Sequence, residues 1–405
     1  MKKIFILLFC LLVCPLFAVQ RANVHTCEKA PIIDGELTDA CYKDCLVISN
    51  LLVLSSSQIE DNKDKIYITK DSENFYIGME VFSKSLKAKI KDRDGNVWED
   101  DAIELYFRPD ITKEEYYVLI VNGNGALYDA AGMAAAWNSN AVCASKITDF
   151  GYTCEISIPL KDVGIENRNS IPPSVSDETA TPQTLFRGTE IGFNIGREEI
   201  RDKEFYSWSN LGGNSFHTPS KFGFLTFDET IPIFRLESIE QKGKNIIIRG
   251  KAVGGKLLDY SLKRGEEILG GTSGNIVIIN EEFEDSGLCE FDLKCEDKTV
   301  YCLDFSIMGR MKIKWAQLGD KLSVVVDTKD LTFGKNTKFI LKIVKKYNPV
   351  GERVFFGEAL RFDEPCEKTF NYNIKDLEKG KYILEAELWA PTIKITKLSE
   401  EIEIE

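Results

Sequence analysis

Apolar and polar residues alternate along most of this chain with the period of two that a half-buried β-strand requires. The clearest case follows Trp98-Glu99-Asp100-Asp101, where Ile103, Leu105 and Phe107 share one face and Ala102, Glu104 and Tyr106 share the other. The first set predicts a core face. The second leaves a carboxylate and a phenol on a non-core face, with Trp98 just before it. Ile66 to Thr69, the polar turn Asp71-Ser72-Glu73-Asn74 and the run Phe75 to Phe82 predict strand, turn and strand. Tyr116 to Val121 is a further strand, closed by Asn122-Gly123-Asn124-Gly125. Ser145 to Thr148 and Tyr152 to Ile158 pair across Asp149-Phe150-Gly151, and Ile191 to Ile195 resumes the core pattern. Residues 166–188 turn polar and carry Pro172, Pro173 and Pro182, which predicts a long surface loop.

A change of domain is expected near Asp228 to Pro232. Beyond it, Asn245 to Arg249, Asn275 to Ile279 and Tyr301 to Ile307 read as strands of a small sandwich. A second small sandwich is expected from about Lys312. Its signature is Phe370 to Ile374, the turn Leu377-Glu378-Lys379-Gly380, and the alternating run Lys381 to Leu388. The fold class is therefore all-β and multi-domain: a β-sandwich over 28–228, then immunoglobulin-like β domains over 232–309 and 311–405.

Composition adds a compartment and removes some partners. Met1-Lys2-Lys3 and the apolar run Ile4 to Phe17, followed by Ala18, have the form of a secretory signal peptide over residues 1–18. No later apolar segment is long enough for a membrane helix, so the reading is export without membrane insertion. A formal charge of -13 argues against nucleic acid, which needs basic patches. Of the 11 cysteines, Cys10 and Cys14 lie in the leader. Cys27, Cys41, Cys45, Cys143, Cys154, Cys289, Cys295, Cys302 and Cys366 remain, and pairing among some of them is expected in an exported chain. Cys143 with Cys154, across their turn, and Cys27 with Cys41 or Cys45 are the candidates. Zinc is disfavoured, because Cys-x-x-Cys spacing is absent and the histidines are His25 and His217 alone.

Trp98 and Glu104 suggest chemistry. A pyranose has apolar C–H faces and polar edges, and an aromatic ring beside a carboxylate meets both needs. An ordinary amphipathic strand with an acidic lead-in is the competing reading.

From about Pro31 to Asp228 the chain resembles family 9 carbohydrate-binding modules, β-sandwiches related to DOMON domains. The motifs, in order, are Ile33-Asp34-Gly35-Glu36-Leu37 with Ala40, and Asp92-Arg93-Asp94-Gly95 with Val97 to Asp101 and Ile103-Glu104-Leu105. Val121-Asn122, Gly125 and Asp129 follow, then Tyr152 to Pro159 and Gly192-Phe193-Asn194-Ile195 with Arg197. Ser207-Trp208-Ser209 and Phe216-His217-x-Pro219 with Phe222-Gly223 complete the set. The resemblance implies a sugar clamped between Trp98 and Trp208, with Glu104 accepting hydroxyl hydrogen bonds and Asn122 as an amide partner. A core residue at the sandwich edge is the alternative for Trp208. The resemblance also implies structural calcium, for which Asp92, Asp94, Asp100 and Asp101 are the candidate ligands; an acidic turn without metal is the alternative. Arg197 is expected to pair with a buried carboxylate, and Trp137 to pack at the core or rim.

The leading function is thus an exported, non-catalytic carbohydrate-binding protein whose partners are an oligosaccharide or polysaccharide and a cell-surface component or glycoside hydrolase. A surface or assembly protein that has lost its sugar site competes with it. A glycosidase is less favoured, since the small β modules leave no large cleft for paired acids. A haem protein ligated through Met79 or Met133 and a histidine is the weakest alternative.

Overall fold

The computed structural model describes residues 19–59, 63–165, 190–200, 204–242, 245–264, 266–280, 287–307, 311–329, 331, 337–347, 351–390 and 393–404. The leader 1–18 and the whole of the expected loop 166–188 lie outside these residues. The described chain is all-β, with short 3-10 turns and no α-helix among the described residues.

Two large sheets face each other. In the first, strands Gly223–Thr226, Glu190–Glu199, Ala102–Arg108, Tyr117–Asn122 and Leu127–Ala131 lie side by side in that order. In the second the order is Leu46–Ser49, Lys65–Lys70, Asn74–Phe82, Gly151–Pro159 and Val142–Ile147. Both hairpins read from the sequence are present, with Ile68 opposite Ile77 and Cys154 opposite Ser145. Between the sheets, Ile103, Leu105 and Phe107 meet Phe75, Ile77 and Met79 in one core that also takes in Ile156, Phe193 and Ile195. Arg197, on this inner side, pairs through Nε with Asp64 Oδ2 at 3.1 Å, both buried. A buried charge needs such a partner.

The turn at 228–232 separates segments along the chain, but both sheets and the core continue past it. Strand Ile233–Lys242 joins the second sheet through Arg235 opposite Val47. Strand Arg21–Asn23 lies parallel to Gly223–Thr226 on one side and antiparallel to Lys298–Ile307 on the other. This short N-terminal strand therefore supplies backbone hydrogen bonds to both halves. The pattern of alternation cannot reveal such splicing, because either side of the turn looks like a complete sandwich by itself.

Residues from Met311 onward have a separate core. A three-stranded sheet (Lys312–Leu318, Lys321–Asp327, Glu367–Asn373) and a four-stranded one (Gly351–Phe362, Thr337–Tyr347, Gly380–Ala390, Ile393–Ile404) carry it. The turn before Gly380 switches sheets, as in an immunoglobulin-like sandwich.

The expected Cys143–Cys154 bridge is not formed. The register sets Cys143 opposite Ile156 and Cys154 opposite Ser145, and the Cys143 Sγ–H donates to Gly125 O at 3.0 Å. All nine cysteines from Cys27 to Cys366 are unbonded, so neither pairing expected for Cys27 is formed.

Candidate functional site

Strand register builds a platform on the outer face of the first sheet. Tyr128, Ile120, Glu104 and Gly196 fall in line across four neighbouring strands. The next row holds Ala130, Val118, Tyr106 and Asn194. On the other side of Glu104 come Asn122, Ala102 and Glu198. A second apolar cluster, with Val97, Ala102, Tyr106, Phe216 and Phe222, covers part of this face. What remains open is a cavity of about 460 Å³, well within the size range of small-ligand sites.

Trp98, Tyr128, Phe205 and Phe216 give the cavity four aromatic walls, and Glu104 and Glu198 lie within it. Trp98 is 38% exposed and packs edge-on against Tyr128, with ring centroids 4.9 Å apart. Phe216 arrives on the segment before Pro219 and lies flat over Gly196. A Cβ at Gly196 would stand 3.1 Å from the Phe216 ring, so glycine is what lets the ring reach the sheet. His217 follows at the rim, where its Nδ1 shares a 2.8 Å hydrogen bond with the Tyr116 hydroxyl. Burial lowers the His217 pKa and favours the neutral ring.

Glu104 and Glu198 form a carboxyl pair. The Tyr106 hydroxyl donates to Glu104 Oε2, and Glu198 is the diagonal neighbour of Glu104 on the adjacent strand. Burial raises both pKa values, and the charge on Glu104 raises Glu198 further. Two buried carboxyls side by side disfavour a double negative charge. Oε2 of Glu198 is buried without a partner. The arrangement offers aromatic faces with strong hydrogen-bond acceptors at their centre.

The sequence-derived site residues divide. Trp98 and Glu104 are together in the cavity. Trp208 is not: it is 1% exposed, in the core between the sheets, 5.9 Å from Phe193. The Ser-Trp-Ser motif explains why. Ser207 Oγ and Ser209 N–H both donate to Asn194 Oδ1, which turns the two serines one way and the indole the other. The expected clamp of Trp98 with Trp208 is therefore corrected: Trp208 belongs to the core, and Phe216 is among the aromatic residues that line the cavity with Trp98. Asn122 is also fully buried. Its Nδ2 donates to Ile90 O and Asp100 Oδ2, and its Oδ1 accepts from Asn124 N–H and Ala126 N–H. It closes a turn and presents nothing to a ligand.

The four aspartates do not fit a single calcium ion. Asp92 and Asp94 are exposed, whereas Asp100 and Asp101 are buried and spent on hydrogen bonds. Asp100 Oδ2 accepts from Lys89 N–H, Ile90 N–H and Asn122 Nδ2; Asp101 accepts from Ser83 Oγ, Lys87 N–H and Ile200 N–H. Asp100 Oδ1 is left buried without a partner, one oxygen where calcium takes about six to eight. Among the described residues no group of three or more His, Cys, Asp or Glu side chains could hold a metal. Trp137 packs on Tyr117 at 4.8 Å, beside the core.

Phe216, Tyr128 and Glu198 were missed as site residues. Phe216 and His217 were visible as a motif, but their place over Gly196 depends on how the segment folds back. The Glu104–Glu198 contact depends on cross-strand register between positions far apart in sequence.

Similarity to known proteins covers about half of the chain. Residues 33–230 match the family described as carbohydrate family 9 binding domain-like. Endo-1,4-beta-xylanase A of Thermotoga neapolitana is 29% identical over 205 residues, 48% of this chain and 17% of the xylanase. The Thermotoga maritima enzyme of the same name is 27% identical over 206 residues, again 48% and 17%. The chain thus spans about a sixth of the length of these curated relatives. A family 9 module from Caldicellulosiruptor kristjanssonii, solved with cellotriose, is 20% identical, covers 51% of this chain and 93% of its own, and has a TM-score of 0.35. Over residues 33–230, just under half of its length, this chain is thus similar to the carbohydrate family 9 binding domain-like family.

Proposed function

We propose that this chain is an exported, non-catalytic sugar-binding protein that holds its ligand in the cavity on the outer face of the first sheet. The cavity itself carries the reading, because Trp98 and Phe216 offer C–H-stacking faces around the Glu104–Glu198 acceptors. Glu104 takes sugar hydroxyls as hydrogen-bond donors, with Tyr106 fixing its orientation. The match of residues 33–230 to the carbohydrate family 9 binding domain-like family supports carbohydrate as the ligand class.

Export rests on the basic head and apolar run at the amino terminus. A polysaccharide, with a glycoside hydrolase or cell-surface component beside it, is the expected setting. The xylanases that carry the matching stretch as a minor part of a longer chain are consistent with that.

The test is calorimetric titration of the mature protein with glucose, cellobiose and xylobiose. Saturable binding that is lost in Trp98→Ala is the expected result. No binding of any sugar by demonstrably folded protein would overturn the reading.

A further inference from the structure

The cavity contains more acid than a neutral sugar needs. Its ionisable lining residues are Glu104, Glu198 and His217, and His217 is held toward its neutral form. The acids are diagonal neighbours on adjacent strands and both line the cavity, and Oε2 of Glu198 has no hydrogen-bond partner. The groups around them on the same and neighbouring elements are Tyr106, Tyr116, His217, Asp101 and Arg197. Of these, the cation Arg197 is committed on the inner face, with Nε on Asp64 and a second nitrogen on Glu198 backbone carbonyl. Among the described residues, therefore, no Lys or Arg side chain lines the cavity beside the two acids.

We infer that the cavity recognises a sugar bearing a free amine, with the ammonium group seated against Glu104 and Glu198 beside the aromatic faces of Trp98 and Phe216. This rests on the sugar-binding reading above. An ammonium offers three N–H donors, enough to engage both carboxyls that line the cavity. Bonds between two charged groups are roughly twice as strong as those between neutral ones, and the nearby ring faces favour a cation again. A neutral hydroxyl gains neither advantage. When the ammonium enters, the proton held on the carboxyls by their raised pKa values leaves to solvent, and no other covalent bond changes. An N-acetylated sugar carries no positive charge and leaves the pair protonated.

The experiment is titration of the full mature chain at neutral pH with glucosamine trimer, its N-acetylated counterpart and cellotriose, in two buffers of different ionisation enthalpy. The glucosamine trimer is expected to bind about tenfold more tightly than cellotriose, with release of a proton that cellotriose does not cause. The N-acetylated trimer should lack both effects. Glu198→Gln, checked for folding by circular dichroism, should bring the ratio close to one. If that variant does not fold, the wild-type ratio and the proton count still decide the matter. Cellotriose binding as tightly as the glucosamine trimer would overturn the amine assignment while leaving sugar binding intact. A trilysine peptide binding as tightly as the glucosamine trimer would overturn the sugar half of the inference. Failure of every sugar to bind would remove the inference together with the reading it rests on.

Discussion

The two faces of the first sheet use the same strands for opposite purposes, and its two motif tryptophans show the difference. Trp208 points inward, among Phe193 and the aliphatic side chains of the sandwich core. Trp98 stands on the outer side, held edge-on by Tyr128 and open to a cavity. On the strand Ala102–Arg108 the odd positions fill the core, while Glu104 and Tyr106 build the platform. Neighbouring residues one position apart thus differ completely in what a substitution does. Removing an inward side chain opens a void in a close-packed interior, and removing an outward one alters what the cavity can hold.

The comparison breaks most visibly at Trp208. Trp208→Ala should cost about 3–5 kcal/mol of stability, read as a lower denaturation midpoint, with or without sugar. Next comes Asp100→Ala, which strips acceptors from buried N–H groups and should cost about 1–3 kcal/mol. Because the aspartates do not fit one ion, that loss should be the same with calcium or with chelator in a thermal melt. Trp98→Ala should behave oppositely to Trp208→Ala, lowering sugar affinity by about tenfold or more while moving the midpoint little. Gly196→Ala sharpens the outer face further: the new methyl pushes against the Phe216 ring, and affinity should fall by roughly three- to tenfold in titration.

The smallest effect is on pH dependence. Burial raises the Glu104 and Glu198 pKa values above their ordinary 4.5. The folded chain then keeps a proton that the unfolded chain releases. The stabilisation from this pair is complete in acid below the unfolded value and is lost as pH rises through the folded values. Glu198→Gln should therefore flatten the fall in melting temperature between about pH 5 and pH 9 relative to wild type. An unchanged slope would show that the pair is not protonated in the folded state.

Much of this was legible along the sequence. The alternation through Ile103, Leu105 and Phe107 gave the core face, and the hairpin at 65–82 was readable from its polar turn. Trp98 and Glu104 could be placed together because they lie on one short segment. What could not be read is set by contacts distant in sequence. Phe224 beside Arg21, Arg235 beside Val47 and Cys302 beside Arg21 join stretches that alternation makes look separate. Trp208 misled because only the resemblance placed it in the site, whereas Ser207 Oγ and Ser209 N–H bond Asn194 Oδ1 and the indole lies in the core. Asn122 and Asp100 misled in the same way, since the acceptors and donors that suggest a ligand are consumed by nearby backbone.

The most direct test of the account is a pair of titrations with the same sugar into Trp98→Ala and Trp208→Phe, the second chosen to preserve an aromatic core residue. The account predicts that Trp98→Ala stays folded and loses binding, while Trp208→Phe binds as wild type. Retained affinity in Trp98→Ala with loss in a folded Trp208→Phe would contradict the placement of the site on the outer face.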